Sequence, residues 1–133
     1  MKDLKARDVM TRPVVSARKN ASARDIAMQL LSGLYSGLPV TDDEGKVVGI
    51  VTEFDLLKQI MKGKDLTTLR AEEVMTRESI TVDVNTPLQE VLNVMMEKNI
   101  IRIPVTENGS LKGVVARCDI LRAHIEPEFV TYI

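Results

Sequence analysis

Cysteine is almost missing from this chain of 133 residues: Cys118 stands alone, so neither an internal disulfide nor a multi-cysteine metal site can form. A reducing compartment is the expectation. Tryptophan is absent, and two Phe with two Tyr are the only aromatics, too few for the stacking platforms that grip single-stranded nucleic acid. Neither charge sign dominates: 18 basic and 19 acidic side chains leave a formal charge of −1, without the field that draws a protein to nucleic acid or an anionic membrane. Any phosphate must be held locally. Apolar runs stop far short of the roughly 20 residues a membrane helix needs, and Met1-Lys2-Asp3-Leu4-Lys5 lacks the apolar run of a signal peptide. A cytoplasmic protein is expected. With one histidine, His124, near the end of a predicted helix and no nucleophile motif nearby, a Ser-His-Asp triad has no basis. Walker, GxGxxG, HExxH and paired-cysteine motifs are also missing, so catalytic and metal-binding residues are expected to be none.

What the chain does have is one unit written twice. Ala6-Arg7-Asp8-Val9-Met10-Thr11-Arg12 matches Ala71-Glu72-Glu73-Val74-Met75-Thr76-Arg77, and Leu38-Pro39-Val40-Thr41 matches Ile103-Pro104-Val105-Thr106, both at an offset of 65 obtained by subtracting residue numbers. One residue then drops out in a turn. At an offset of 64, Gly49-Ile50-Val51-Thr52-Glu53-Phe54-Asp55 lies against Gly113-Val114-Val115-Ala116-Arg117-Cys118-Asp119. Self-similarity of this kind governs the architecture. The copies divide as 1–63 and 64–133, with Lys62-Gly63-Lys64-Asp65 as a polar, glycine-containing linker.

Each copy predicts the same order of elements. A short extended piece (Val14 to Ser16; Ile80 to Val82) leads into a helix. In the first copy its apolar positions Ala23, Ile26, Ala27, Leu30, Leu31 and Leu34 recur at three and four; in the second, Leu88, Val91, Leu92, Met95 and Met96 do. Thr86, Pro87 and Gln89 predict an N-cap, a first-turn proline and a capping-box partner. Two apolar runs then flank a turn, Asp43-Glu44-Gly45 or Asn108-Gly109, and the Asn-Gly pair is a strong hairpin signal. A second helix closes each copy, Glu53 to about Met61 and Arg117 to about His124. The fold class is α+β, mixed. A unit of this size buries little surface alone, so two copies packed with pseudo-two-fold symmetry around one shared core are expected, with ligand clefts at the junction.

Two β-α-β-β-α copies, each opened by Val-Met-Thr, carrying a hydrophobic-Pro-Val strand start and closed by Gly-hydrophobic-hydrophobic-x-x-x-Asp, resemble the cystathionine β-synthase (CBS) domain pair, or Bateman module, of the stand-alone type. The resemblance spans roughly Leu4 to Ile125. It implies a non-catalytic regulatory module that binds an adenosine-containing nucleotide, AMP, ADP or ATP, as a ligand rather than a catalytic cofactor. It also implies a homodimer formed through helices and an effector protein whose identity is unknown. The alternatives are a scaffold or dimerisation module without nucleotide binding, or an S-adenosylmethionine sensor.

The resemblance also implies the site. Asp55 would accept from both ribose hydroxyls, as a carboxylate with two oxygens can. Thr52 would add a polar contact, Ile50 would pack on adenine, and Gly49 would let the backbone approach the ligand. The other copy would complete this main site with Thr76, Ile80, Ile101 and Arg102, whose guanidinium would fork onto phosphate. Arg77 is a lesser phosphate candidate. A second site would use Asp119, Val114 and Ala116 with Thr11, Val15, Ser36 and Gly37. There Ala116 lacks a hydroxyl and Gly37 stands where Arg102 stands, losses of about 1 and about 1.5–3 kcal/mol. They predict weakening by roughly a hundred-fold or more. Thr52-x-x-Asp55 is equally an N-cap with an acid in the first turn. Asp119 without a capping hydroxyl at Ala116 favours the ribose role.

Three further expectations complete the reading. Cys118 is a partly buried, inert thiol; Met28, Met61, Met95 and Met96 fall mainly at core spacing. The tail Glu126-Pro127-Glu128-Phe129-Val130-Thr131-Tyr132-Ile133, with half of the aromatics, docks on its own module or on a second subunit.

Overall fold

The computed structural model describes residues 3–12, 14–33, 35–77 and 79–125. The tail 126–133 and Leu34, both drawn into the sequence reading, lie outside the described residues. In chain order the elements are α1 (Ala6–Val9), β1 (Ala17–Arg18), α2 (Ala23–Gly33), β2 (Gly37–Thr41), β3 (Val47–Thr52), α3 (Glu53–Met61), a 3-10 turn (Leu66–Thr68), α4 (Ala71–Val74), β4 (Val82–Asp83), α5 (Leu88–Lys98), β5 (Arg102–Glu107), β6 (Ser110–Ala116) and α6 (Arg117–Ile125). They make two three-stranded sheets, β1-β2-β3 and β4-β5-β6. In each, the first strand pairs in parallel with the second, and the second and third form an antiparallel hairpin.

The hairpins follow their turn residues. Asn108 and Gly109 take φ of 53° and 85°, the positive pair that a two-residue turn needs to match strand twist. In the other turn, Asp42 Oδ1 accepts from the N–H groups of Glu44 (2.9 Å) and Lys46 (3.0 Å), while Gly45 takes the positive φ.

By contacts the chain forms two compact units, Val15–Ser79 and Met1–Val14 with Ile80–Ile133. In the unit holding 15–79, Ile26, Leu30, Leu38, Val40, Val51 and Leu56 are buried together with Ala71 and Val74 of α4. In the other, Val91, Met95, Ile103, Val105, Val115 and Ile120 are buried with Ala6 of α1. Each large aliphatic side chain so buried contributes about 1.5–3 kcal/mol. The buried residues therefore form two clusters, one per unit, where a single shared core was expected. The reason lies in the leaders. α1, which opens the first copy in sequence, packs with the elements of the second, and α4, which opens the second copy, packs with those of the first. The N–H of Ala6 donates to Thr86 O (2.9 Å), and that of Ala71 to Ala21 O (2.8 Å).

Several local expectations shift. The first strand of each copy lies at Ala17–Arg18 and Val82–Asp83 rather than at 14–16 and 80–82, since its partner registers it there, Ala17 against Val40 and Val82 against Val105. The capping box at α5 does not form: Pro87 is the N-cap without a side-chain bond, and the Gln89 amide donates to Asn93 Oδ1 instead (3.2 Å). Among the four methionines assigned to core spacing, Met95 is buried, whereas Met28, Met61 and Met96 are exposed.

Candidate functional site

The step from β3 into α3 places Thr52 and Asp55. The Asp55 N–H donates to the Thr52 hydroxyl (3.2 Å), which donates to Asp55 Oδ2 (3.0 Å), and the Thr52 N–H donates to that same oxygen (2.9 Å). This is a complete capping box, the local role that the spacing also allowed. Asp55 is buried at 5% exposure, and its second oxygen, Oδ1, stands 3.7 Å from Lys58 Nζ. One carboxylate oxygen therefore holds the helix start and the other carries charge toward a cation.

Thr76 joins this group through the backbone. The Ile50 N–H donates to Thr76 O (3.0 Å) and the Thr76 N–H to Ile50 O (2.9 Å), an isolated antiparallel bridge that brings the Val-Met-Thr leader against β3. Gly49 makes room for this contact. A Cβ there would stand 2.6 Å from Met75 Sδ and 2.8 Å from Thr76 O. Ser36 and Gly37 lie beside Thr52 in the same unit: Ser36 O accepts from the Glu53 N–H (3.0 Å), and Gly37 pairs with Thr52 across the hairpin. At Gly37, which stands where the other copy has Arg102, a Cβ would meet Val51 O at 3.1 Å, a tight contact.

The other unit repeats the arrangement without the hydroxyl, since Ala116 stands in the place of Thr52. The Ala116 N–H donates to Asp119 Oδ2 (2.8 Å), so the acid caps the backbone even without a hydroxyl at 116. Asp119 thus has a local role of its own, and its persistence opposite Ala116 no longer separates a ribose contact from a helix cap. Arg122 Nη1 stands 3.5 Å from Asp119 Oδ1, matching Lys58 at Asp55. The N–H groups of Thr11 and Val114 donate to each other's carbonyls (2.8 and 3.2 Å). Asp8, Thr11, Arg12, Asp119 and Arg122 line a concavity of about 260 Å³, just under the usual ligand range of about 300–1,000 Å³.

Each expected site draws on both units. Ile50, Thr52, Asp55 and Thr76 belong to the unit Val15–Ser79, as do Val15, Ser36 and Gly37; Thr11, Val114, Ala116 and Asp119 belong to the other, with Ile80, Ile101 and Arg102. Within it, Ile101 O accepts from the Arg117 N–H (3.2 Å) and Arg102 pairs with Ala116. Sequence reasoning passed over Arg12, Lys58 and Arg122. The signal was present in Asp-x-x-Lys and Asp-x-x-Arg, a cation one helical turn after each acid. Cys118 is exposed, not partly buried. No trio of His, Cys, Asp or Glu among the described residues could hold a metal ion, and no described helix is long and apolar enough to cross a membrane.

Comparison with known proteins gives this architecture its class. The CBS domain family matches residues 6–62 and 71–126; the chain belongs to that family and carries a pair of its domains. Hypoxic response protein 1 of Mycobacterium tuberculosis is 30% identical over 96% of this chain and 90% of its own length. A crystal structure of Hypoxic Response Protein I with two coordinated zinc ions superposes at a TM-score of 0.81, with 31% identity, over 90% of this chain and 98% of that one. The CBS domain pair of protein MJ0100, in complex with 5-methylthioadenosine and S-adenosyl-L-methionine, gives 0.77 at 31% identity, covering 91% and 95%. CBSX2 in complex with AMP gives 0.80 at 25% identity, covering 93% and 98%. The chain spans 32% and 22% of the length of two Methanocaldococcus jannaschii relatives that it matches at 36% and 32% identity.

Proposed function

We propose that this CBS pair is a non-catalytic regulatory module that binds an adenosine-containing nucleotide, AMP, ADP or ATP, and acts in the cytoplasm on an effector protein. The observation that carries the reading is the recurrence, in both units, of a buried carboxylate at a strand-to-helix step with a backbone-bridged Thr beside it, in a fold shared with a CBS pair that holds AMP. Asp55 takes the ribose, supported by Ile50, Thr52, Thr76, Ile80 and Ile101, and Arg102 takes phosphate. The set led by Asp119, with Thr11, Val15, Ser36, Gly37, Val114 and Ala116, binds more weakly. Exposed Leu31 of α2 and Phe54, Leu57 and Met61 of α3 provide an apolar surface for a homodimer, since clustered apolar side chains on a surface favour association.

Titration calorimetry on protein stripped of carried-over nucleotide tests the reading against AMP, ADP, ATP and S-adenosylmethionine. One strong site that disappears in Asp55→Ala is expected. Heat with S-adenosylmethionine alone would move the assignment to the ligand class seen with MJ0100, and silence with all four would leave a dimerisation module.

A further inference from the structure

In each unit the leader and the closing helix bring cations toward the buried acid, and the two units hold those cations differently. In the unit Val15–Ser79 they are Lys58 and Arg77. Lys58 Nζ stands 3.7 Å from Asp55 Oδ1 and 5.4 Å from the centre of the Phe54 ring, and Arg77 Nη2 donates to Glu72 O of its own leader (3.3 Å). Their counterparts in the other unit are Arg122 and Arg12, at offsets of 64 and 65 obtained by subtracting residue numbers. Both of these line the concavity of about 260 Å³ that Asp119 and Thr11 also line. The leaders differ in sign as well: Arg7-Asp8 stands in one where Glu72-Glu73 stands in the other, so the surroundings of Asp119 are two charges more positive than those of Asp55 at these matched positions.

We infer that Arg12 and Arg122 are the phosphate-binding residues of the site led by Asp119, standing in for the cation that Gly37 does not supply, an assignment that rests on the nucleotide reading above. The concavity places donors and acceptors side by side. Asp119 offers a carboxylate to sugar hydroxyls, and the two guanidinium groups, one from the leader and one from α6, can fork onto phosphate oxygens. Arg122 is oriented before any ligand arrives, because its Nη1 meets Asp119 Oδ1 at 3.5 Å. Thr11, next to Arg12, is held by its backbone bridge to Val114 (2.8 and 3.2 Å). Side chains set in place beforehand lose less freedom on binding. The acids Asp8 and Asp119 in the same lining oppose a bare anion, whereas a phosphorylated sugar satisfies both kinds of group. At about 260 Å³ the space suits the ribose and its phosphates, and the base lies beyond it. The site stays the weaker of the two, since Ala116 brings no hydroxyl, but it selects its ligand by phosphate.

Calorimetry in an Asp55→Ala background, where the main site is silent, reads this site alone. ADP should bind there about ten-fold more tightly than adenosine, or better. Arg12→Gln and Arg122→Gln should each lower the ADP affinity by about ten-fold, and Arg12→Lys, which keeps the charge without the fork, should lose less. In Arg12→Gln/Arg122→Gln, ADP and adenosine should bind alike. Independently of any substitution, the Nε–Hε resonances of Arg12 and Arg122 in the parent protein should move on adding ADP and stay in place with adenosine. Two results would overturn the assignment while leaving nucleotide binding at Asp55 intact: no binding in the Asp55→Ala protein with both arginine resonances unmoved in the parent, or ADP binding there that neither arginine substitution weakens. Silence of the parent with every nucleotide would overturn both readings together.

Discussion

Met10 lies over Gly113, its Sδ 2.6 Å from where a Cβ on residue 113 would stand, and Met75 lies over Gly49 at the same separation. The opening motif of one copy is thus fitted to the closing motif of the other. Neither glycine has a positive φ. Both are glycine because another chain segment occupies the side-chain position.

The two contacts differ in how far they can yield, and that difference makes a prediction. At Gly113 the three nearest atoms all belong to the Met10 side chain, whereas at Gly49 one of them is the Thr76 carbonyl oxygen, at 2.8 Å. That oxygen is fixed by its bond from the Ile50 N–H. Overpacking costs about 1–3 kcal/mol, so Gly49→Ala should fall toward the upper end and Gly113→Ala toward the lower. Urea unfolding of both variants checks the order. In double-mutant cycles, shortening Met10 should offset more of the Gly113→Ala cost than shortening Met75 offsets at Gly49.

Thr52 and Asp55 separate helix capping from ligand binding. The Thr52 hydroxyl both donates to and accepts from Asp55, while Asp55 Oδ1 remains turned toward Lys58. Thr52→Ala recreates the state found naturally at Ala116, in which the backbone N–H alone meets the acid. It should cost about 0.5–2 kcal/mol in stability and change nucleotide affinity less than Asp55→Ala does. Melting curves and calorimetry on the same two variants give both numbers. A larger affinity loss from Thr52→Ala would show that its hydroxyl leaves the cap to meet the ligand.

Much of this was legible from the residues alone, and the exceptions have physical causes. α3 was expected from Glu53 to about Met61 and α6 from Arg117 to about His124, and both stand within one residue, because the repeat supplied two readings of each boundary. The hairpins were equally plain from their turns. The two-residue strands β1 and β4 were misplaced since such short pieces have no period and take their register from a partner. α1 and α4, four residues each, are too short to show helical spacing, and that each packs with the opposite copy cannot be seen where leader and copy adjoin in sequence. Of the candidate site, the acids were visible as motif positions, but the purpose of Gly49 was not: nothing in the sequence announces which methionine will lie above it.

Acid should unfold the protein partly through two turn aspartates, Asp42, which is partly exposed, and Asp65, which is exposed. Asp42 is held below its ordinary value by the N–H of Lys46 and, beyond that, of Glu44; Asp65 by the Thr67 hydroxyl (2.7 Å) and then the Thr67 N–H (2.9 Å). A carboxyl depressed in the folded state stays ionised there while the unfolded chain, with a pKa of about 3.9, takes up a proton. Its contribution is therefore present above that value and is lost as pH falls through the folded-state pKa. In Asp42→Asn/Asp65→Asn, the denaturation midpoint should fall less steeply below about pH 4 than in the parent. An identical acid slope in the two proteins would remove these turns from the acid response.

The hairpin between β5 and β6 gives the last prediction, because its two turn residues carry different conformational loads. Asn108 at φ 53° and Gly109 at φ 85° both occupy the left-handed side, which Asn tolerates through its short polar side chain and Gly without steric cost. Replacing either by alanine leaves every other contact in place and charges the folded state with about 1–2 kcal/mol for the handedness of a Cβ. The strand pair they join carries Ile103, Val105 and Val115, all fully buried, so strain there acts on the core of the whole unit rather than on a free loop. Asn108→Gly should therefore be nearly neutral, Asn108→Ala destabilising, and Gly109→Ala at least as much so. Unfolding free energies in that order follow if the turn sets the register. Equal losses for both substitutions at 108 would mean that the asparagine side chain, and not its backbone, holds the turn.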